Sequence, residues 1–117
     1  MNLLDCIEKF PFVKGVEVLD LRTFGTGFYV KMRVSIRDGS ILHIREYVDE
    51  TERSYSYHWQ TPEGALIIRW DNAPHHRDLP TFPHHKHARG EVLPSYTIAC
   101  EEILEEIGVL LFERENR

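Results

Sequence analysis

Histidine is the residue type in this sequence that can both transfer protons and bind metal ions at neutral pH, and it is unevenly distributed along the chain. The chain has seven histidines, of which six fall within residues 53–90. An imidazole titrates near pH 6.5, so it exchanges protons at neutral pH, and its neutral form binds metal ions. Residues 53–90, together with the segment around His43, are therefore where the sequence places its candidate chemistry.

His43 and His58 are predicted to face each other across two neighbouring strands. The strands cover about residues 40–48 and 53–60 and are joined by a four-residue loop. Side chains directly opposite each other have Cβ atoms about 4.5–5.5 Å apart. Two imidazoles at that distance would repel as cations and favour each other's neutral form. One could then act as a general base and the other as a general acid.

Such a pair suits RNA cleavage without a metal ion. The base takes the 2′-hydroxyl proton, arginine stabilises the charged phosphorane-like transition state, and the acid protonates the departing 5′-oxygen. The predicted catalytic residues are His43, His58, Arg45, Arg69 and Asp71. The alternative is that only one of the two histidines faces a ligand, or that both simply end the sheet.

The same strand assignments gather basic and polar side chains on one face of the sheet. They are Lys31, Arg33, Arg37, His43, Arg45, Ser56, His58 and Arg69, with no acid among them until Asp71. Clustered bases attract phosphate, and arginine binds it through two parallel donors. Predicted RNA contacts are Lys31, Arg33, Tyr57, His75, His76, Lys86 and Arg89. The competing interpretation is that the strand residues are ordinary solvent-exposed side chains.

A second cluster lies in the sequences DNAPHH and PHHKH. Imidazole and carboxylate groups suit first-row transition metals, and the candidate ligands are Asp71, His75, His76, His84, His85 and His87. No cysteine accompanies them and no recognised zinc spacing is matched, so we expect no metal ion and no other cofactor. A loop that contacts RNA is the competing use. Residues 71–74 also suit an Asx turn that ends a strand.

The elements that position these residues are a helix, five strands, a long loop and a final helix. The clearest strand, at residues 30–37, alternates apolar and polar side chains. A three-residue turn with Gly39 in the left-handed conformation pairs Val34 with Leu42, whereas a two-residue loop would bury charge. We predict a single α+β domain over residues 1–117, with an antiparallel meander sheet of about five strands. An N-terminal and a C-terminal helix pack on one face of this sheet.

Two further segments complete the prediction. A loop at residues 61–64 sets Trp59 against Leu66 and Tyr57 against Ile68. Residues 72–95 have no hydrophobic period and contain several prolines, which predicts a long His/Pro-rich loop. The final helix is predicted over about residues 97–107, with an acidic outer face.

Aromatic residues at strand spacing are interpreted as core rather than as a surface on which RNA bases stack. They are Tyr55, Tyr57, Trp59 and Trp70. Glu46 falls on the same face beside Tyr55. The sequence leaves open whether Glu46 lies at the sheet edge or accepts a phenol hydrogen bond.

The whole-chain properties narrow the class of protein. The net charge is −5, but residues 53–90 carry five bases and three acids, so the acidic excess lies elsewhere and separate faces are expected. Neither a signal peptide nor an apolar run of membrane-spanning length is recognised. We therefore expect a cytoplasmic protein with no membrane partner, in which Cys6 and Cys100 are reduced thiols.

Several uncommon short motifs make the sequence resemble the TumE-like toxins of prokaryotic toxin-antitoxin pairs. They are YSYHWQ, RWDNAPHH, LPTFPHHKH, GEVLPS and CEEILEEIG, in this order, across about residues 38–107. The resemblance implies a small cytoplasmic toxin encoded beside a helix-turn-helix antitoxin, with RNA cleavage as the expected activity. By family position the matching residues are Tyr57, His58, Arg69, Asp71, Asn72, His75, His76, His84, His85 and His87.

The leading hypothesis is a toxin that acts on RNA as a metal-independent endoribonuclease, with its basic face covered by its antitoxin. One alternative is a non-catalytic module that binds RNA or protein. Another is a metal-dependent hydrolase that uses the His-rich loop. A homodimer is left open.

Overall fold

A computed structural model describes residues 2–96 and 98–117. Helix α1 spans Leu3–Glu8 and helix α2 spans Cys100–Glu115. The strands between them are β1 (Val13–Phe24), β2 (Gly27–Ile36), β3 (Ile41–Val48), β4 (Arg53–Gln60), β5 (Leu66–Asp71), β6 (His85–Ala88) and β7 (Glu91–Pro94). The strands form one antiparallel sheet in chain order, β1 to β7. The α+β meander predicted from the sequence is confirmed.

The sheet has seven strands rather than about five, because the segment predicted as a long loop contains the β6–β7 hairpin. Arg89 and Gly90 form its two-residue turn, with φ angles of 55° and 76°. Positive φ at both central residues is typical of the tight hairpin turn whose twist matches that of the strands. The long loop is therefore confined to residues 72–84, between β5 and β6.

The core lies between the two helices and one face of the sheet. Alternate residues of β2, β3, β4 and β5 point towards the helices, and Ile103, Leu104 and Ile107 of α2 are fully buried against them. Tyr57 and Trp59 are also fully buried, which confirms that they are core residues. The predicted contact of Tyr57 with RNA is therefore wrong, because its side chain has no access to solvent.

The final helix is longer than predicted. It continues through Gly108 to Glu115, whereas the prediction ended it at Ile107. A Cβ atom on Gly108 would lie 3.0 Å from the Phe12 ring, so this glycine admits a close neighbour rather than ending the helix. Thr97, the first residue of the predicted helix, lies outside the described residues.

Two of the predicted registers are confirmed and one is wrong. Val34 pairs with Leu42, and His43 pairs with His58. Gly39 has φ +90°, as the three-residue turn requires. The β4–β5 register differs by two residues, with Trp59 opposite Ile68, because the loop at residues 61–65 is one residue longer than predicted and a bulge lies between Trp59 and Gln60. The bulge has a direct consequence for the site, since it brings Arg69 opposite His58.

Glu46 accepts hydrogen bonds inside the core. Its carboxylate accepts from the Tyr57 hydroxyl and, at 2.8 Å, from Arg53 Nε. Arg53 also donates to the Ile98 carbonyl at 2.9 Å. The phenol alternative for Glu46 is therefore correct, with Tyr57 rather than Tyr55 as the partner. Burial and the adjacent Glu46 carboxylate raise the pKa of Tyr57 far above its ordinary value.

Both cysteines, Cys6 and Cys100, are buried free thiols, as predicted. Burial raises the pKa of the Cys100 thiol, and the nearby Cys6 adds to that shift. In the described ranges no helix has the length and apolar character needed to cross a membrane.

Candidate functional site

The sheet face that points away from the helices, here called the open face, carries two rows of polar side chains that cross five strands. The first row runs through Arg33, His43, His58, Arg69 and His87. The second row runs through Lys31, Arg45, Ser56, Asp71 and His85. Neighbouring strands lie about 4.8 Å apart, so each row brings distant parts of the sequence into one line of adjacent groups.

His43 and His58 occupy the middle of the first row, as predicted. Their ring centroids lie 6.2 Å apart. Burial lowers the pKa of His43 below 6.5, and the Arg33 and Lys31 cations lower it further. Burial also lowers the pKa of His58, with Arg69 and His43 as the additional causes. Both imidazoles therefore favour the neutral form at neutral pH.

Arg69 connects the His58 imidazole to the Asp71 carboxylate. A guanidinium nitrogen of Arg69 lies 3.3 Å from His58 Nδ1, and Arg69 Nε donates to Asp71 Oδ2 at 3.1 Å. Because arginine has no acceptor, His58 Nδ1 must accept, and the neutral His58 ring carries its proton on Nε2. This contact exists only because of the β4–β5 bulge.

An open cleft of about 620 Å³ lies over the second row. Its lining includes Tyr29, Arg45, Tyr47, Ser54, Ser56, Arg69, Asp71, His75, His76, His85 and His87. His43 and His58 stand beside the cleft, in the first row. The sequence prediction missed Tyr29, Tyr47 and Ser54 as lining residues, although the period-two alternation of β2, β3 and β4 already puts them on this face.

Asp71 is the centre of a compact cluster at the far end of the cleft. Its Oδ1 lies 2.9 Å from His85 Nε2, and its Oδ2 lies 3.6 Å from His87 Nε2. His76, from the long loop, packs against both imidazoles, with centroid distances of 4.7 Å to His85 and 5.7 Å to His87. Asp71 and His85 are buried even though they belong to the open face, because residues of the loop cover them.

The loop leaves the sheet through two side-chain hydrogen-bond arrangements. Asp71 Oδ1 accepts from the Ala73 N–H at 3.0 Å, which confirms the Asx turn. The Asn72 amide accepts from the Tyr55 N–H at 2.9 Å and donates to the Arg53 carbonyl at 2.7 Å. These two bonds continue the pairing of β4 after β5 has ended.

Several predicted site residues lie away from the open face. His84 contacts the Tyr55 hydroxyl at 2.9 Å, on the helix side of the sheet, where burial, Arg53 and His85 lower its pKa. Lys86 also points to the helix side and pairs with Glu106 of α2 at 3.2 Å. Lys86 was predicted to contact RNA from the His-rich loop, but it lies in β6 and points to the helix side because it alternates with His85 and His87.

At the margins of the open face, the charged side chains also differ from the prediction. Arg37 turns away at the end of β2 and forms a two-point contact with Glu115, at 2.8 and 3.2 Å. On the β1 side, Glu17 lies opposite Arg33 and Asp20 lies opposite Lys31 in the strand register, so acids border the basic rows there. Arg89 lies exposed at the tip of the β6–β7 hairpin.

The described geometry combines a basic, histidine-bearing sheet face with an adjoining cleft. In comparisons with known proteins, the family model "Toxin TumE" matches residues 3–111. No curated protein and no solved structure matches. The match covers nearly the whole chain, from the start of α1 through β7 and α2 as far as Leu111. This chain therefore belongs to the TumE toxin family.

Proposed function

We propose that this toxin acts on RNA as an endoribonuclease whose chemistry is carried by the open face and uses no metal ion. The observation that supports this proposal is the pair of His43 and His58 imidazoles, side by side, between Arg33 and Arg69. A base, an acid and phosphate-binding cations are the groups that transfer within the RNA backbone requires.

His43 is the general base in this proposal. Its pKa is lowered by burial and by the Arg33 and Lys31 cations, so its ring is neutral and ready to accept the 2′-hydroxyl proton. The 2′-oxygen then attacks the adjacent phosphorus, and the P–O5′ bond breaks as His58 protonates the departing 5′-oxygen. Because a 2′-hydroxyl is required, the proposal also predicts that DNA is not cleaved.

His58 is the general acid, and the bound RNA itself prepares it. A phosphodiester brings a negative charge beside His58, which favours the imidazolium form. Protonation of His58 Nδ1 removes the acceptor that holds Arg69, so this guanidinium is released towards the phosphate. Arg45 is a neighbouring cation in the second row, and Asp71 keeps Arg69 on the open face through its contact at 3.1 Å.

The direct test is incubation of purified protein with end-labelled RNA in the presence of EDTA. Wild-type protein should cleave the RNA, and His43→Ala and His58→Ala should each lower the rate by about 10²–10⁴-fold, the usual contribution of a general acid or base. Arg37→Ala is the matched control, because it removes a basic residue that contacts Glu115 instead of the open face.

Two outcomes would count against the proposal. Intact RNA after incubation with wild-type protein in several buffers would reject the enzymatic activity. Retention of RNA without turnover, weakened by Arg45→Ala or Arg69→Ala but not by His58→Ala, would identify a non-catalytic RNA-binding module instead.

The toxin family implies an antitoxin partner. We propose that this partner is a helix-turn-helix protein encoded next to the toxin and that it covers the open face. Purified antitoxin should then block RNA binding by wild-type toxin. Simultaneous binding of RNA and antitoxin would exclude the open face as the antitoxin site.

A further inference from the structure

The cluster around Asp71 has features that the proposed RNA chemistry does not use. His76, His85 and His87 each offer a ligand nitrogen, and these nitrogens all lie within 4.8 Å of one another. The three residues come from two separate parts of the chain, the long loop and β6. The Asp71 carboxylate lies beside two of these imidazoles, those of His85 and His87.

The distances approach those of a transition-metal site. Zinc bonds to histidine nitrogen are about 2.0–2.1 Å long, so tetrahedral ligand atoms lie about 3.4 Å apart. The Asp71 oxygens already lie 2.9 and 3.6 Å from the Nε2 atoms of His85 and His87. The imidazole nitrogens, which lie within 4.8 Å of one another, must approach by at most about 1.4 Å to reach that spacing, and the Asp71 carboxylate adjoins them as the fourth candidate ligand.

The surroundings hold the ligands in orientations that suit metal binding. His85 Nδ1 donates to the Pro83 carbonyl at 2.9 Å, which leaves Nε2 directed at Asp71. A backbone carbonyl on the second ring nitrogen is the usual way in which a protein fixes a metal-binding histidine. Asp71 is in turn held by the Ala73 N–H and by Arg69.

We propose that His76, His85, His87 and Asp71 bind one divalent first-row transition metal ion, with zinc as the best match. The ligand set, three imidazoles and one carboxylate, favours zinc, cobalt or nickel over magnesium and calcium, which prefer oxygen ligands. With four protein ligands the site is of the closed, structural kind. The ion connects the long loop to β5 and β6. Its ligand Asp71 also contacts Arg69 of the proposed RNA site, but zinc binding is measured without RNA, so failure of this proposal and failure of the RNA activity are distinguishable.

The test uses full-length protein purified without a histidine tag and freed of metal with a chelator. Zinc is titrated in competition with a chromogenic chelator, and cobalt is added separately, because tetrahedral cobalt has a distinctive visible spectrum. We expect one equivalent of zinc per chain, a tetrahedral cobalt spectrum and no competition from millimolar magnesium. Zinc should also raise the melting temperature.

His76→Ala and His75→Ala form the matched pair of variants. They remove neighbouring loop histidines, but only His76 belongs to the cluster. His75→Ala should bind zinc as the wild type does, whereas His76→Ala should lose more than about tenfold in affinity and all of the zinc-dependent rise in melting temperature. His87→Ala provides a second cluster variant if His76→Ala does not fold.

The proposal is overturned if wild type binds less than one equivalent of zinc. It is also overturned if the His76→Ala and His75→Ala variants bind zinc equally well, or if cobalt gives an octahedral spectrum. The first result means that no site is present, and the others mean that the metal binds elsewhere or with different ligands.

Discussion

At the scale of single residues, the protonation of His43 and His58 is governed by the cations around them. Arg33 and Lys31 act on His43, and Arg69 acts on His58, in each case in addition to burial. Because a positive charge opposes a second positive charge, each pKa falls. The imidazoles are thereby held in the form that can accept a proton.

This environment makes a prediction about titration. In free protein, the His43 and His58 ring signals followed by NMR should titrate with midpoints below pH 6.5. Arg33→Ala removes a cation beside His43 and should raise the His43 midpoint towards 6.5, while His58 moves less.

Arg37→Ala is the control and should move neither midpoint, since Arg37 is paired with Glu115. A wild-type midpoint above 6.5 for both histidines, or a His43 midpoint unaffected by Arg33→Ala, would contradict the electrostatic account.

The sequence predicted the neighbours of a residue correctly where a short loop and strand alternation determine the geometry. The loop between β3 and β4 is short, so strand alternation was enough to place His43 beside His58. The contact between Asp71 and His85 was not predictable in the same way. It requires strand β6. Because β6 alternates histidine with lysine and alanine, its sequence lacks the alternation of apolar and polar residues from which a strand is predicted.

At the scale of elements, the β2–β3 turn sets the position of the first row. Gly39 adopts φ +90°, and a Cβ atom there would lie 3.2 Å from Pro62 Cγ. Both features disfavour a side chain at this position. The turn places Arg33 opposite His43, so the alignment of the cations with the histidines depends on it.

Gly39→Ala should therefore destabilise the protein by about 1–2 kcal/mol, the usual cost of a left-handed conformation for a residue with a side chain. The measurement is urea unfolding followed by circular dichroism. Gly15→Ala is the matched control, because a Cβ atom on Gly15 meets nothing within 4 Å. Equal effects of the two substitutions would show that the turn conformation does not limit stability.

Two of the errors in the elements, the β4–β5 register and the end of α2, have physical causes in the fold. The β4–β5 register moved by two residues because the connecting loop is one residue longer than predicted and a bulge adds one more residue; nothing in the local pattern marks the position of the bulge. Helix α2 was predicted to end at Ile107, whereas it continues through Gly108, which accommodates the Phe12 ring. The strand pairing and the Gly108–Phe12 contact each involve a second part of the chain, which a single segment of sequence does not contain.

At the scale of the whole molecule, the net charge of −5 conceals an uneven distribution. Glu101, Glu102 and Glu105 are exposed on α2, while Lys31, Arg33 and Arg45 are exposed on the opposite side of the sheet. The sequence predicted this separation correctly as a pair of faces. It was less accurate within residues 53–90, since Arg53 and Lys86 pair with acids on the helix side.

The basic face predicts that RNA binding weakens as salt concentration rises. For single-stranded RNA, removing one cation that binds a phosphate reduces the slope of log affinity against log salt by about 0.7. Arg45→Ala should reduce the slope by this amount, as measured by fluorescence anisotropy at several potassium chloride concentrations. Arg37→Ala changes the net charge equally but should leave the slope unchanged, and a general charge effect would instead alter both variants alike.

The side-chain amide of Asn72 lets strand β5 end while the neighbouring strand β4 keeps its hydrogen bonds. One side chain provides the donor and the acceptor that the next residue of a longer β5 would otherwise have supplied to Tyr55 and Arg53. Strand β5 can thus end one residue early while the Tyr55 N–H and the Arg53 carbonyl of β4 still have hydrogen-bond partners. The loop that follows does not have to keep the hydrogen-bond spacing of the sheet. It places His76 on one side of the sheet and His84 on the other.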